Sequence, residues 1–290
     1  MKVLITGCYG QVGHCLVEQL QDKAEIQALD RNELDITDKD AVFKAVEEFR
    51  PDYIINAAAH TAVDKAEAEV DLSFAVNRDG PFYLAQAAQY INAVMLHIST
   101  DYVFDGEGEE AYTESMPTGP QGVYGQSKLS GELAVAGACN RHLIMRTAWV
   151  FGEHGNNFVK TMLCLGESRD ALSIVGDQFG GPTYAGDIAA ALITMVEYIE
   201  AGNIPEWGTY HYSGMPHVSW FEFAKVIFAE AKEKAIMDNV PELVSIPTTA
   251  YPTPAKRPTN SRLNCTKINA QFGILASDWQ LTLKNIQAYK

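Results

Sequence analysis

The sequence predicts an α/β fold: a Rossmann-like doubly wound parallel sheet with a smaller α/β substrate-binding lobe. Short apolar runs alternate with helical patterns through the first half, and a glycine-rich turn joins the first run to the first helix. At 290 residues the chain is long enough for a main domain with a smaller partner.

The elements follow in order. Val3-Leu4-Ile5-Thr6 is a buried-strand pattern that enters Gly7-Cys8-Tyr9-Gly10-Gln11-Val12-Gly13, and a helix then runs to about Asp22. Ile26-Gln27-Ala28-Leu29-Asp30 reads as the second strand. Thr37, with Asp40 three residues later, has the spacing of a capping box for a helix carrying Val42, Phe43, Val46 and Phe49, which Pro51 breaks. Tyr53-Ile54-Ile55-Asn56 is the third strand, Gly80 to Tyr90 a helix, and Met95-Leu96-His97-Ile98-Ser99 the fourth strand. A loop from Asp105 to Gly122 precedes a helix over Tyr124–Ala136 and a strand at Leu143-Ile144-Met145-Arg146-Thr147. Beyond Trp149 the rhythm loosens, with helices expected near Phe158–Leu165, Gly186–Ile199 and Trp220–Lys234 and a proline-bearing turn at Tyr251–Pro258. This divides the chain into a dinucleotide-binding domain over 1–150 and a substrate-binding lobe over 151–290, the latter interleaved with the last elements of the main sheet.

Composition excludes several classes. The chain is 47% hydrophobic and 20% charged, which excludes disorder. Its net charge of −15 opposes binding to nucleic acid or an anionic membrane surface. No apolar run approaches the roughly 20 residues of a membrane span, and no signal peptide is expected, so the chain reads as cytoplasmic. The five cysteines are scattered, odd in number and without a C-x-x-C, which argues against a disulfide framework or a zinc knuckle.

A strand, then G-x-x-G-x-x-G, then a helix suits a dinucleotide pyrophosphate. Side chains are absent where backbone must approach phosphate, and the helix N-terminus offers unpaired N–H groups. Asp30, about 20 residues on, stands where a carboxylate accepts from a ribose hydroxyl. That carboxylate repels the extra phosphate of NADP, whereas Arg31 beside it could pair with the phosphate, so NADH and NADPH both stay open.

Tyr124-Gly125-Gln126-Ser127-Lys128 puts a phenol and an ammonium on one helical face. A free tyrosine, with a pKa of about 10, is a poor acid–base group at neutral pH. A neighbouring ammonium and an oxidised nicotinamide both favour the phenolate. Thr100 closes a parallel strand at its carboxyl end, where such sheets bind ligands.

These residues resemble the extended short-chain dehydrogenase/reductases that act on nucleotide sugars. Five further segments resemble the dTDP-4-dehydrorhamnose reductase family within them: Asn56–Glu67, Ser99–Phe104, Arg146–Gly152, Gly155–Phe158 and Arg257–Leu263. The resemblance spans nearly the whole chain. It implies reduction of the C4 keto group of dTDP-4-dehydro-L-rhamnose by NADH or NADPH, the last step toward activated L-rhamnose for bacterial surface polysaccharide such as lipopolysaccharide O-antigen. Thr100, Tyr124 and Lys128 would be catalytic. Tyr124 would protonate the developing alkoxide, and Lys128 would lower its pKa and hold the nicotinamide ribose. Thr100 would bind the sugar oxygen, with Asp101 and Trp149 lining the sugar site. The implied cofactor contacts are Gly7, Gly10, Gln11, Val12, Gly13, Asp30, Asp35, Ile36, Ala58, Ala59, His60 and Thr61, together with Tyr124 and Lys128. A diphosphate bound to an acidic protein needs a cation, and Arg257 or Arg262 is expected to supply it, Arg257 first.

Relatives that eliminate water carry an acidic residue directly after Thr-Asp, where this chain has Tyr102, so reduction is favoured over dehydration. Some members bind magnesium through carboxylates at a dimer interface. Here His14-Cys15 and Gly186-Asp187 stand near those positions, so no metal is expected and a homodimer is left open. His97, His211 and His217 read as core residues and Glu107–Glu114 as a solvated loop. Two other readings remain: a reductase or epimerase of another nucleotide sugar, or a non-catalytic NAD(P)-binding regulatory subunit.

Overall fold

The computed structural model describes residues 1–290. In the first half the order is β1 (Lys2–Thr6), α1 (Gln11–Leu20), β2 (Glu25–Leu29), α2 (Lys39–Phe49), β3 (Tyr53–Asn56), α3 (Val63–Ala66), α4 (Val70–Phe74), a π-helical turn (Ala75–Asp79), α5 (Gly80–Ile91), β4 (Val94–Thr100), α6 (Val123–Ala138) and β5 (His142–Thr147). The second half adds β6 (Val150–Phe151), α7 (Phe158–Gly166), β7 (Ala171–Val175), β8 (Phe179–Gly180), β9 (Thr183–Tyr184), α8 (Ala185–Glu200) and β10 (Gly208–His211). It ends with β11 (Val218–Ser219), α9 (Trp220–Glu233), β12 (Glu242–Ile246), β13 (Asn260–Ser261), α10 (Thr266–Phe272) and α11 (Trp279–Leu283). No helix is long and apolar enough to cross a membrane.

Six strands form the central sheet in the order β10-β5-β4-β3-β1-β2, every pair parallel. The doubly wound α/β expectation holds, and the chain reverses direction across the sheet between β1 and β3. Continuous apolar runs mark these strands because both faces are covered. Val3, Ile5, Tyr53, Ile55, Val94, Leu96, Leu143 and Met145 point to one face and pack with Leu16 and Leu20 of α1 and Ile188, Leu192 and Val196 of α8. Their neighbours Leu4, Ile54, Met95 and Ile144 point to the other, against Val42 and Val46 of α2, Leu84 and Ala88 of α5, and Val135 of α6. Each Val, Leu, Ile or Met among them, fully buried, contributes about 1.5–3 kcal/mol. A separate core in the second half gathers Phe151, Val159, Leu163, Phe223, Ile227 and Trp279.

Two local expectations are corrected. The cap of α2 is Asp38, whose carboxylate accepts the Ala41 N–H at 3.1 Å, and not Thr37, whose hydroxyl instead donates to Asp35. Helix α2 ends at Arg50 in the left-handed region, one residue before Pro51. The acidic loop is solvated only in its first part. Tyr112 is buried and stacks on Phe104 with ring centroids 4.1 Å apart, and Glu114 accepts the His211 N–H at 2.9 Å.

Below the site, Arg146 on β5 forms a two-point ion pair with Glu132 on α6, Nε to Oε1 at 2.8 Å and Nη2 to Oε2 at 2.6 Å, with both residues buried. Removing one member strands the other charge. Glu132→Ala is therefore expected to cost about 3–5 kcal/mol of unfolding free energy in urea titrations, whereas Arg146→Met with Glu132→Leu recovers most of that loss.

Candidate active site

A cleft of about 270 Å³ opens at the carboxyl ends of β1, β2 and β3. Its lining includes Gly7, Gly10, Asp30, Asp35, Ile36, Ala58, Ala59 and His60, eight of the residues expected to meet a dinucleotide. Gly7 has φ +74, and a Cβ there would lie 2.6 Å from the Ala58 nitrogen. At Gly13 a Cβ would lie 2.1 Å from the Gly7 carbonyl oxygen, so α1 starts directly against the loop. No side chain caps α1, which leaves its first-turn N–H groups for an anion. The cradle fits a dinucleotide. Gln11, Val12, Gly13 and Thr61 lie outside the cleft lining: Val12 is in the core, the Gln11 side chain accepts from Asn157 at 3.0 Å, and Thr61 is exposed.

The Asp30 carboxylate is committed locally, accepting the Asn32 and Glu33 N–H groups at 2.8 and 3.1 Å and the Asn32 side-chain amide at 3.0 Å. Arg31 is exposed and also lines the cleft. Hydrogen bonds from Thr37, with Arg31 adding a smaller pull, hold the Asp35 carboxyl below its ordinary range. Leu34, Ala57, Leu72 and Val76 complete the wall. Leu72 and Val76 stand at i, i+4, a spacing that puts both on one helical face but does not by itself point to a ligand.

A buried asparagine joins this wall to the second half of the site. Asn77, in the π-helical turn, accepts the His60 N–H at 2.8 Å and donates to the His60 carbonyl at 3.1 Å and to Ser127 Oγ at 3.0 Å. Ser127 in turn donates to the Tyr124 carbonyl at 2.8 Å. Close approach is again a glycine matter: a Cβ at Gly125 would lie 2.2 Å from the Tyr102 carbonyl oxygen, and one at Gly131 2.0 Å from that of Asn77.

Tyr124 and Lys128 sit on α6 as the i, i+4 spacing requires, facing the end of β4. The Thr100 hydroxyl bears on the Tyr124 phenol, and its hydrogen bonding favours the phenolate, but burial prevails and raises the phenol above its ordinary range. The expected lowering by Lys128 is not seen. Its ammonium donates to the Ile98 carbonyl at 2.6 Å, and burial pulls it down to about 8 against the attraction of Glu132. The same charge, after burial, helps keep His97 neutral, and that ring meets Asn56 Nδ2 at 3.1 Å in the core.

Asp101 is 4% exposed, with Oδ1 taking the Thr100 hydroxyl at 3.0 Å and Oδ2 the hydroxyl of Ser261. Both oxygens thus have protein donors, and burial pushes the carboxyl up to about 6. Arg257 donates to Asp64 at 2.6 Å and to the Tyr102 hydroxyl at 3.2 Å, while the Tyr102 ring stands edge-on to Tyr124 with centroids 5.4 Å apart. Arg262 donates to the Glu109 carbonyl at 2.9 Å and lies over the Phe179 ring. Trp149, in the left-handed region at φ +50, stacks on Trp220 with centroids 3.5 Å apart, and Gly180 makes room for its indole. Asp64, Asn77, Trp220 and Ser261 had no role assigned from sequence, because their partners lie far away along the chain.

The donor set near α1 does not suit magnesium. His14, Glu18 and His154 bring potential ligand atoms within 4.8 Å of one another, but two of the three are imidazoles, stacked 3.9 Å apart and near parallel. Cys15 is a buried thiol pushed up to about 12, and Asp187 accepts the Ser277 hydroxyl at 2.6 Å.

Residues 1–289 match the family model described as the RmlD substrate binding domain. The chain is 51% identical over 290 residues to a dTDP-4-dehydrorhamnose reductase of Aggregatibacter actinomycetemcomitans, covering 99% of each chain. A crystal structure of a dTDP-4-dehydrorhamnose reductase from Clostridium acetobutylicum superposes with a TM-score of 0.91 at 41% identity, covering 98% of both chains. Another from Bacillus anthracis, in complex with NADP, gives 0.91 at 37% identity over 100% of this chain and 99% of that one.

Gly7→Ala is expected to strain the left-handed turn and drive a methyl into the Ala58 backbone. Fluorescence titration with NADPH should show at least about tenfold weaker binding, with the folded circular-dichroism spectrum kept.

Proposed function

The chain belongs to the dTDP-4-dehydrorhamnose reductase family, and on that premise we propose that it reduces the C4 keto group of dTDP-4-dehydro-L-rhamnose to give dTDP-L-rhamnose, in the cytoplasm, for surface polysaccharide. The observation that carries this reading is the meeting of Thr100 and Tyr124 at the end of β4, where the Ile98 carbonyl holds Lys128, joined through Asn77 to a glycine-lined cleft. In this reading residues 1–150 hold the dinucleotide and 151–290 contribute the sugar-nucleotide side, with Trp149 against the sugar.

Gly7, Gly10 and the cleft walls would hold NADH or NADPH, which supplies the hydride when bound and reduced. The chain's own groups manage the oxygen. Thr100 hydrogen-bonds the sugar O4, and Tyr124 transfers its phenolic proton to that oxygen as negative charge develops. A phenol raised by burial is protonated at neutral pH, which is the form reduction needs. Lys128, held by the Ile98 carbonyl one turn along α6 from Tyr124, would hold the nicotinamide ribose. Arg257, fixed by Asp64, holds Tyr102 beside Tyr124. Tyr102 brings no carboxylate to protonate a leaving hydroxyl, which supports reduction over dehydration.

The test is an absorbance assay at about 340 nm for NAD(P)H consumption with dTDP-4-dehydro-L-rhamnose, run beside a UDP-linked keto sugar. Tyr124→Phe is expected to lower kcat by about 10²–10⁴-fold while NADPH binding stays within a few-fold. Full activity in this variant, or turnover of the UDP-linked sugar alone, would overturn the reading. Arg31→Ala is expected to weaken NADPH binding about tenfold and leave NADH binding within about twofold, because only the former carries a phosphate for that guanidinium.

A further inference from the structure

The placement of Asp101 behind Thr100 limits what the threonine can do. A hydroxyl has one proton and two lone pairs. One lone pair of Thr100 Oγ1 faces the Tyr102 N–H at 3.3 Å, and Asp101 Oδ1 lies 3.0 Å from the same oxygen. Ser261, from the far C-terminal segment, donates to Oδ2 and so leaves Oδ1 as the oxygen that can carry a proton. An ionised Asp101 only accepts. It then takes the single proton of Thr100, and the threonine has only a lone pair to offer the Tyr124 phenol or a ligand. A protonated Asp101 donates to Thr100, fills the second lone pair, and frees the threonine proton to point outward.

We propose that Asp101 and Ser261 are positioning residues for the reduction: a proton on Asp101 makes Thr100 a donor to the sugar oxygen, and Ser261 sets how readily Asp101 carries it. This rests on the reductase reading above and adds Ser261 to it. The groups facing Asp101 are Thr100 at the end of β4, Tyr102 on its own turn, Tyr124 from α6 with Lys128 one turn on, Arg257 on the Tyr102 hydroxyl, and Ser261 from β13. Burial raises the carboxyl to about 6 despite the hydrogen bonds of Ser261 and Thr100. Tyr124, raised by burial, titrates well above that range.

The experiment is the pH profile of kcat/KM and kcat in the full-length protein and two variants. For the parent, kcat/KM is expected to fall as pH rises through an ionisation near 6, where the donating form is lost. The same fall in kcat should lie at higher pH, because a bound sugar oxygen favours that form. Asp101→Asn, whose amide can donate to Thr100 and accept from Ser261, is expected to lose this ionisation and keep turnover within about tenfold of the parent's plateau. Ser261→Ala removes a hydrogen bond that favours the carboxylate, so the fall should move up by roughly one pH unit. A merely structural role would change the plateau and leave the ionisation in place.

An ionisation that persists in Asp101→Asn, or one that Ser261→Ala leaves unmoved or lowers, overturns the inference. If the parent reduces no nucleotide sugar at any pH, the functional reading fails instead. The inference is then read from infrared difference spectra without turnover. A protonated-carboxyl band absent in Asp101→Asn, with a midpoint raised in Ser261→Ala, supports it, and the lack of such a band overturns it.

Discussion

The structure depends on backbone approaching backbone at the carboxyl edge of the sheet. The β1–α1 loop crosses close to the Ala57–Ala58 segment after β3, and only a residue without a Cβ can stand at Gly7. Gly13 then lets α1 press on the same loop. A cleft at the strand ends is the consequence, with Gly7 and Gly10 leading into the uncapped start of α1 and apolar walls from Leu34, Leu72 and Val76. Gly125 and Gly131 repeat the device, seating α6 against the Tyr102 and Asn77 carbonyls so that Tyr124 reaches Thr100.

A second constraint is the handling of buried charge. Arg146 and Glu132 satisfy one another with two hydrogen bonds, which offsets the cost of taking both from water. Lys128, Asp101 and Tyr124 have no such full pairing, and burial moves each toward its neutral form. These three groups gather about the carboxyl end of β4, and perturbed ionisation gathered in one spot is what proton chemistry requires. In the sheet below them, His97 stays neutral and structural.

Much of this was legible from residue order. The strand runs, the helix carrying Tyr124 and Lys128, and eight of the cleft residues follow from periodicity, glycine spacing and resemblance. Cap identity was not, because Asp38 and Thr37 are both good candidates and only the local turn decides which oxygen reaches the Ala41 N–H. The ionisation of Tyr124 was not legible either, since the spacing brings an ammonium near but says nothing of burial or of the Ile98 carbonyl that holds it.

By itself the sequence determined the doubly wound topology, the glycine cradle and the i, i+4 phenol–ammonium pair, because each is written in neighbouring residues and short-range sterics. Tertiary structure alone decided the long-range partners. Ser261 meets Asp101 across 160 positions, Arg257 meets Asp64 across 193, and Trp220 stacks on Trp149. Those contacts depend on how the C-terminal segment folds back over the ends of the sheet strands. No local pattern encodes that path, because its free energy comes from apolar surface buried jointly by segments far apart in the chain.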